Sequence, residues 1–197
     1  MKPIILKIKG INSFIEEQTI DFTSLIQLGL FGIFGPTGSG KSTILDGITL
    51  ALYGEIPRAR NLSTKKDLSG IINTQCQQGM VYYEFEMGSP DERKRYMVSR
   101  SFKKDGQGNV KTNRVLLCDI THREEPVVLE EKVTPLNHRM VEIIGLTSED
   151  FTRSVVLPQG NFSDFLKLSG KDRRNMLERI FALQEYGSQL TQRIRSR

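Results

Sequence analysis

One glycine-rich stretch constrains the fold of this chain more than any other segment. Residues 31 to 46 read FGIFGPTGSGKSTILD, in which residues 35 to 42 match the pattern G-x-x-x-x-G-K-[ST]. The apolar run LGLFGIF at residues 28 to 34 predicts a strand before this motif, and an apolar segment from about Ser42 to Tyr53 predicts a helix after it. A strand, a glycine loop and a helix in this order indicate an α/β core.

The residue types in the motif are those needed to hold the phosphate groups of a nucleotide. Glycines allow successive main-chain N–H groups to point inward at phosphate oxygens, and the positive end of the following helix adds to the same field. We expect Lys41 to reach the β- and γ-phosphates and the hydroxyl of Ser42 to bind Mg²⁺. The predicted nucleotide-binding residues are Gly35, Pro36, Thr37, Gly38, Ser39, Gly40, Lys41, Ser42 and Thr43.

A phosphate-binding loop does not hydrolyse a nucleotide by itself, because a carboxylate must also fix the metal ion. The apolar run from Val115 to Asp119 has the outline of a strand that carries such an acid. It is followed by Ile120 rather than a second acid and lies among strands of alternating pattern, which favours an ordinary strand. The alternative is a self-sufficient P-loop kinase for small molecules, with Asp119 as its metal acid. A third hypothesis is a scaffold whose association is driven by nucleotide binding and reset by hydrolysis.

The composition is typical of a soluble domain. The 197 residues are 38% hydrophobic and 26% charged, enough for one domain or for one domain with an appendage. A net charge of +5 permits an anionic partner such as a nucleic acid without proving one. Cys76 and Cys118 form no metal-binding spacing, and no apolar run is long enough to cross a bilayer. We therefore expect a reduced, cytoplasmic setting and no membrane partner.

Strand patterns flank the glycine motif on both sides. The segments IILKI at residues 4 to 8 and QTIDF at residues 18 to 22 predict strands, and residues 54 to 79 are expected to be irregular. From about residue 80 to 131 the pattern has period two, with the turn KDGQGN at residues 104 to 109. This pattern predicts an antiparallel β-arm beside the core.

Two helices and a short apolar run follow the arm. Gly145 ends the first predicted helix, and Ser148 is the expected N-cap of the second. Residues 155 to 157, Val-Val-Leu, favour the end of a buried strand that stops at Pro158. The amide of Gln159 follows at once, and the local pattern favours a surface turn there.

The last segment has the spacing of a coiled coil. Ser169 and Asp172 form a capping box at the start of a helix that occupies residues 171 to 197. Residues at alternating spacings of four and three follow the a/d pattern, namely Met176, Ile180, Leu183, Gly187, Leu190 and Ile194. An amphipathic helix packed on its own domain has the same pattern. Because the pattern is still running at Arg197, we expect the root of a truncated coiled coil after a lobe formed by residues 1 to 170.

Four stretches together resemble the SbcC family of bacterial SMC-like DNA-repair ATPases: LKIKGINSFIEEQTIDF, GPTGSGKSTILDGITLALYGEIPRAR, VVLPQGNFSDFLK and DRRNMLERIF. The resemblance is to the amino-terminal half of that family and spans nearly the whole chain. Its most specific parts are ALYG at residues 51 to 54 and LPQGNF at residues 157 to 162. It implies the amino-terminal lobe of an ABC-type P-loop ATPase head, an α/β fold with a mixed core sheet and an antiparallel β-arm.

The resemblance also implies cofactors, partners and site residues. The P-loop binds ATP and Mg²⁺, and Gln159 takes the Q-loop position as a ligand of both. The Walker B acid and the signature loop come from a carboxy-terminal lobe, so no catalytic acid is expected in this chain. Two heads engage as an ATP-dependent homodimer, which regulates the partner nuclease SbcD at double-stranded DNA ends. One departure is the turn from Gly10 to Ser13, where family members often carry a basic residue.

Basic side chains on the predicted β-arm are candidates for DNA contact. Lys103, Lys104, Lys111 and Arg114 could neutralise phosphates without reading sequence. Acids such as Asp105 lie among them, and a solvated charged face is the alternative interpretation.

Overall fold

The computed structural model describes residues 1–27, 29–56, 68, 70–89, 91–156 and 169–180. The chain divides into two compact units, Met1–Met140 and Val141–Arg197. The glycine motif and all described strands belong to the first unit. In these ranges no helix combines the length and the apolar character needed to span a membrane.

Six strands form one sheet, in the order β2-β1-β3-β4-β5-β6. Their bounds are Lys2–Lys9 for β1, Gln18–Asp21 for β2, Gln78–Met87 for β3, Lys94–Lys104 for β4, Val110–Asp119 for β5 and Val127–Glu130 for β6. Every pairing among these strands is antiparallel. Strands β3 and β1 pair from Lys2 opposite Glu86 to Lys9 opposite Met80. The predicted mixed core sheet and separate β-arm are therefore one antiparallel sheet in the described residues, because β3, the first strand of the arm, pairs directly with β1.

Helices complete the predicted α/β class, which is confirmed. They are α1 at Thr23–Ile26, α2 at Lys41–Tyr53, α3 at Val133–Ile144, α4 at Ser148–Phe151, a π-helical turn at Thr152–Val156 and α5 at Gly170–Ile180. Gly54 ends α2 in the left-handed conformation and donates its N–H to the carbonyl of Leu50. Gly145 donates in the same way to Val141 and ends α3, as predicted.

Helix α2 packs on the sheet beside β1 and β3. The buried face of the sheet carries alternate apolar residues such as Leu6 and Ile8 on β1 and Val81 on β3. A Cβ on Gly47 of α2 would lie 2.6 Å from Cδ1 of Ile8. A residue without a side chain therefore allows α2 to approach β1 this closely.

The predicted strand at residues 28 to 34 is not found in residues 29–34, which are irregular. Leu30 and Phe34 are 86% and 92% exposed. A strand needs a neighbour that pairs with its N–H and C=O groups, and none of the six described strands does so here. Leu30, Phe31, Ile33 and Phe34 are all exposed in the described residues.

Two local predictions after the β-arm were wrong. The N-cap of α4 is Thr147, whose hydroxyl oxygen accepts the N–H of Asp150, whereas Ser148 is the first helical residue. Val155 and Val156 lie in the π-helical turn rather than in a strand. In the same segment the hydroxyl of Thr152 donates to a carbonyl one turn earlier, that of Ser148, at 2.7 Å.

Ser169 and Asp172 pair at the start of α5 as predicted. The hydroxyl of Ser169 donates to the Asp172 carboxylate at 2.6 Å and accepts the Asp172 N–H at 3.1 Å. The structure describes this helix as far as Ile180, and most of the predicted heptad positions lie outside the described residues. The coiled coil remains a prediction.

Candidate functional site

The glycine motif forms a loop that leads directly into the amino terminus of α2. We call residues 35 to 43 the phosphate loop. Gly40 is the N-cap of α2, with a left-handed φ of 89°. The first helical hydrogen bond joins the N–H of Ile44 to the carbonyl of Gly40 at 3.2 Å. The N–H groups of Lys41, Ser42 and Thr43 therefore have no acceptor within the helix.

The amino terminus of α2 also carries no local group that would compete with an anion. No side chain caps the helix at Gly40, and its first turn contains no acidic residue. The uncapped N–H groups and the positive end of the helix dipole act in the same direction. Together they form a site for a phosphate group.

The ammonium of Lys41 spans the phosphate loop. Its Nζ donates to the carbonyls of Gly35 and Pro36, at 2.7 Å each, and lies 3.4 Å from the hydroxyl oxygen of Ser39. All three acceptors are neutral. Phosphate oxygens form stronger, charge-assisted bonds with an ammonium, so a bound nucleotide can replace these contacts.

The two hydroxyl residues after Lys41 differ in exposure. Ser42 is exposed, whereas Thr43 is only 4% exposed. The hydroxyl of Ser42 is thus available to a metal ion, and Thr43 is better placed to contribute its N–H. Asp46, 5% exposed, lies four residues after Ser42 and shares its side of the helix. No role was predicted for Asp46 from the sequence, although its i, i+4 spacing from Ser42 indicates that the two residues share one side of the helix.

A turn after β1 lies against the phosphate loop. A Cβ on Gly40 would lie 2.6 Å from Cζ of Phe14, so the ring occupies that space. The turn itself is held by Asn12, whose N–H donates to the carbonyl of Ile71 at 2.8 Å and whose carbonyl accepts the side-chain amide of Asn73. No role was predicted for Phe14, because no local sequence pattern distinguishes it from an ordinary apolar residue.

Gln159 lies outside the described residues, and its role remains a prediction. Within the ranges that the structure describes, no group of three or more His, Cys, Asp or Glu side chains is arranged to hold a metal ion.

Asp119 ends β5 inside the meander, in the position expected of an ordinary strand residue. Its carboxylate accepts the N–H of Thr121 at 2.9 Å and the Thr121 hydroxyl at 2.6 Å. This carboxylate closes the turn that follows the strand.

Three of the four candidate DNA-binding residues are exposed side chains on neighbouring strands of the sheet. Lys103 and Lys111 are opposite each other on β4 and β5, and Arg114 is opposite Ser101 beyond a bulge. Lys103, Lys111 and Arg114 are all exposed. The ammonium of Lys111 lies 3.3 Å from the Asp105 carboxylate, an exposed pair of small energetic weight.

Lys104 differs from these three residues. Its ammonium donates to the carbonyls of Asn73 and Cys76, at 2.8 Å each, and is partly buried. Lys104 therefore holds the loop before β3 and is poorly placed to contact DNA.

Comparison with known proteins decides the family. A profile of the AAA domain family matches residues 6–196. The chain belongs to the AAA domain family. The phosphate loop and α2 of this AAA domain lie inside the matched range.

Relatives of this AAA domain confirm the resemblance to SbcC. The SbcC component of the SbcCD nuclease from Clostridium acetobutylicum is 54% identical over 192 residues, which are 97% of this chain and 16% of that protein. The protein of the same name from Bacillus subtilis is 48% identical over 195 residues, 99% of this chain and 16% of that protein. A probable DNA double-strand break repair Rad50 ATPase of Aquifex aeolicus is 33% identical over 187 residues, 94% of this chain and 17% of that protein. The chain thus spans about a sixth of the length of these curated relatives.

Proposed function

We propose that this AAA domain is the ATP-binding part of a DNA-repair ATPase within an SbcCD-type nuclease complex. The observation that carries the proposal is the uncapped, acid-free amino terminus of α2, with Lys41 held over the loop that leads into it. The names of the relatives supply the biological setting, since they denote a component of a nuclease and a double-strand break repair ATPase.

Each part of the phosphate loop has a role toward Mg-ATP. The triphosphate accepts the N–H groups of Lys41, Ser42 and Thr43, which have no helical acceptor. The Lys41 ammonium exchanges its neutral carbonyl partners for phosphate oxygens. The Ser42 hydroxyl holds Mg²⁺, which neutralises charge on the phosphates. Gln159 is proposed as a further ligand of the metal ion.

Hydrolysis requires a partner in this proposal. The Walker B acid and the signature loop belong to a carboxy-terminal lobe of the same ATPase. Support comes from the irregular residues 29–34, where Leu30 and Phe34 stand exposed immediately before the phosphate loop. Apolar surface that is exposed to water costs about 25 cal/mol per Å². A lobe that covers Leu30 and Phe34 would remove that cost.

Engagement of two heads around ATP is the regulatory step. ATP binding brings a second copy of the head onto the first, this engagement controls the SbcD nuclease at double-stranded DNA ends, and hydrolysis resets the complex. Gln159→Ala should bind ATP nearly normally and fail to couple it to engagement. Normal ATP-dependent dimerisation by that variant, measured by light scattering on the complete head, would remove the role assigned to Gln159.

Titration of the chain with Mg-ATP tests the proposal directly. The unmodified chain should bind, and Lys41→Ala should lose about 100-fold or more in affinity because the only ammonium over the described loop is removed. Lys103→Ala is the matched control, since it removes the same charge from an exposed site on the sheet. Tight binding by Lys41→Ala would show that the loop does not serve a nucleotide.

A turnover assay separates this function from the kinase alternative. The isolated chain should release negligible phosphate from ATP, since its acid comes from elsewhere. A self-sufficient kinase would transfer phosphate to an acceptor and would lose that activity in Asp119→Asn. The hydrogen bonds of Asp119 to Thr121 argue for the first outcome.

A further inference from the structure

Arg100 is a buried charge that the nucleotide site does not explain. It lies on β4, faces the core and is 1% exposed. Burial lowers the pKa of its guanidinium to about 10, an effect that the nearby Glu55 carboxylate opposes. A charge at such a position is retained only when hydrogen-bond partners compensate for the lost water.

The partners of Arg100 lie at the carboxyl end of α2. Its Nε donates to the carbonyl of Ala51 at 2.7 Å, and its Nη2 donates to the carbonyl of Leu52 at 2.9 Å. Carbonyls in the last turn of a helix have no helical N–H partner and lie at the negative end of the helix dipole. Nη2 also donates to Oδ1 of Asn137 on α3, at 2.8 Å. One guanidinium therefore joins β4, α2 and α3.

Gly54 leaves the space that this contact needs. A Cβ at this position would lie 3.0 Å from Nη1 of Arg100, and the φ of 69° is unfavourable for other residues. The sequence ALYG at residues 51 to 54 thus supplies both carbonyl acceptors and the small C-cap. Phosphate binding by itself gives no reason for this sequence at the far end of the helix.

We propose that Arg100 is a positioning residue for the phosphate loop, which it holds in place by anchoring the opposite end of α2 to the sheet. The inference rests on the proposed nucleotide binding. Helix α2 has 13 residues and is about 20 Å long, so it transmits a displacement at one end to the other. Gly47 in its middle packs on Ile8, and the hydrogen bonds of Arg100 to Ala51 and Leu52 hold its carboxyl end. Phosphate ligands must be held within about 0.5 Å of their working positions, so loss of this anchor should weaken nucleotide binding.

Substitutions at Arg100 test this role through Mg-ATP affinity and the urea midpoint of unfolding of the same 197-residue chain. Arg100→Met should weaken Mg-ATP binding about tenfold, the equivalent of one charge-assisted hydrogen bond. Arg100→Lys keeps a positive charge but cannot reproduce the planar fork of donors, so it should recover only part of that loss. Phe102→Leu is the matched control, because it lies two residues along the same buried face and offers no hydrogen bond. It should lower the midpoint and leave the affinity unchanged.

A second readout follows the amide resonances of Gly40 and Lys41 in the absence of nucleotide. They should shift in Arg100→Met and in Gly54→Ala, which keeps Arg100 and crowds its guanidinium, and should stay in place in Phe102→Leu. Unchanged resonances in both variants, wild-type affinity in Arg100→Met, or an equal loss of affinity in Phe102→Leu would overturn the proposal. Failure of the unmodified chain to bind Mg-ATP would instead count against the proposed function, while the resonances would still report on Arg100.

Discussion

The ring of Phe14 lies against Gly40, the N-cap of α2, so closely that a Cβ on Gly40 would lie 2.6 Å from its Cζ. Gly40 also has a φ of 89°, a conformation that costs other residues about 1 to 2 kcal/mol. The start of α2 is therefore restricted both by its own backbone and by an aromatic ring from the turn after β1.

Gly40→Ala should disrupt the phosphate loop through both restrictions. We expect a loss of about 2 kcal/mol or more in the free energy of unfolding, together with most Mg-ATP affinity. Gly38→Ala is the control for backbone strain alone, since Gly38 has a similar φ of 85° and nothing lies within 4 Å of its Cβ position. Adding Phe14→Leu to Gly40→Ala should restore part of the stability in urea unfolding. Equal losses in the Gly38 and Gly40 variants would show that the ring contact is unimportant.

Ser42→Ala should remove the contribution of Mg²⁺ to ATP binding. The exposed hydroxyl of Ser42 is the proposed metal ligand, so the variant should bind ATP about equally with and without Mg²⁺, whereas the unmodified chain should gain about tenfold from the metal ion. Thr43→Ser, at the buried neighbouring position, should retain that gain. Isothermal titration with and without Mg²⁺ measures both, and a retained gain in Ser42→Ala would exclude this ligand.

Tyr83→Phe should leave the chain as stable or make it about 1 kcal/mol more stable. The hydroxyl of Tyr83 is buried and has no hydrogen-bond partner among the described residues, and a buried unpaired polar group is unfavourable. Tyr82→Phe is the contrasting variant, because the Tyr82 hydroxyl donates to the Glu84 carboxylate at 2.5 Å, and it should lose about 1.5 kcal/mol. Urea unfolding distinguishes the two. A clear loss of stability in Tyr83→Phe would mean that its hydroxyl has a partner.

Alkaline pH should destabilise the chain partly through Tyr83. Burial raises the pKa of this hydroxyl well above its ordinary value. The folded chain therefore keeps the proton while the unfolded chain loses it above about pH 10, so the free energy of unfolding is unaffected below that pH and falls above it. Tyr83→Phe should show a shallower decline from about pH 10 to about pH 11. Parallel stability curves for the two proteins would refute this assignment.

Charge reversal on the sheet tests the DNA hypothesis. Lys103→Glu with Lys111→Glu should weaken binding to double-stranded DNA and reduce the salt slope by about 2, one for each lost phosphate contact. Lys104→Ala should leave the slope unchanged and lower stability, because its ammonium holds the carbonyls of Asn73 and Cys76. Fluorescence anisotropy at several salt concentrations measures the slope. An unchanged slope in the double variant would assign these lysines to a solvated face.

The sequence pattern missed or misplaced some elements where it was short or where a strand had no partner. Strand β6, Val127–Glu130, is four residues long and was not predicted as a separate strand, because so short an apolar run has no period. Residues 29–34 have a strand pattern but no described neighbour to pair with. At the start of α4, Thr147 and Ser148 are adjacent hydroxyl residues with equal capping chemistry, and only the backbone conformation selects Thr147.

The sequence by itself determined the features that depend on neighbouring residues. The phosphate loop, the left-handed glycine at the end of α2, the capping box at Ser169 and the alternating strands all follow from local backbone preferences and periodicity. Tertiary structure alone decided that the Phe14 ring packs against Gly40 and that Arg100 binds the last turn of α2. It also decided that the Lys104 ammonium donates to main-chain carbonyls. These contacts join residues far apart in the chain, and they depend on strand register and helix packing, which no local pattern specifies.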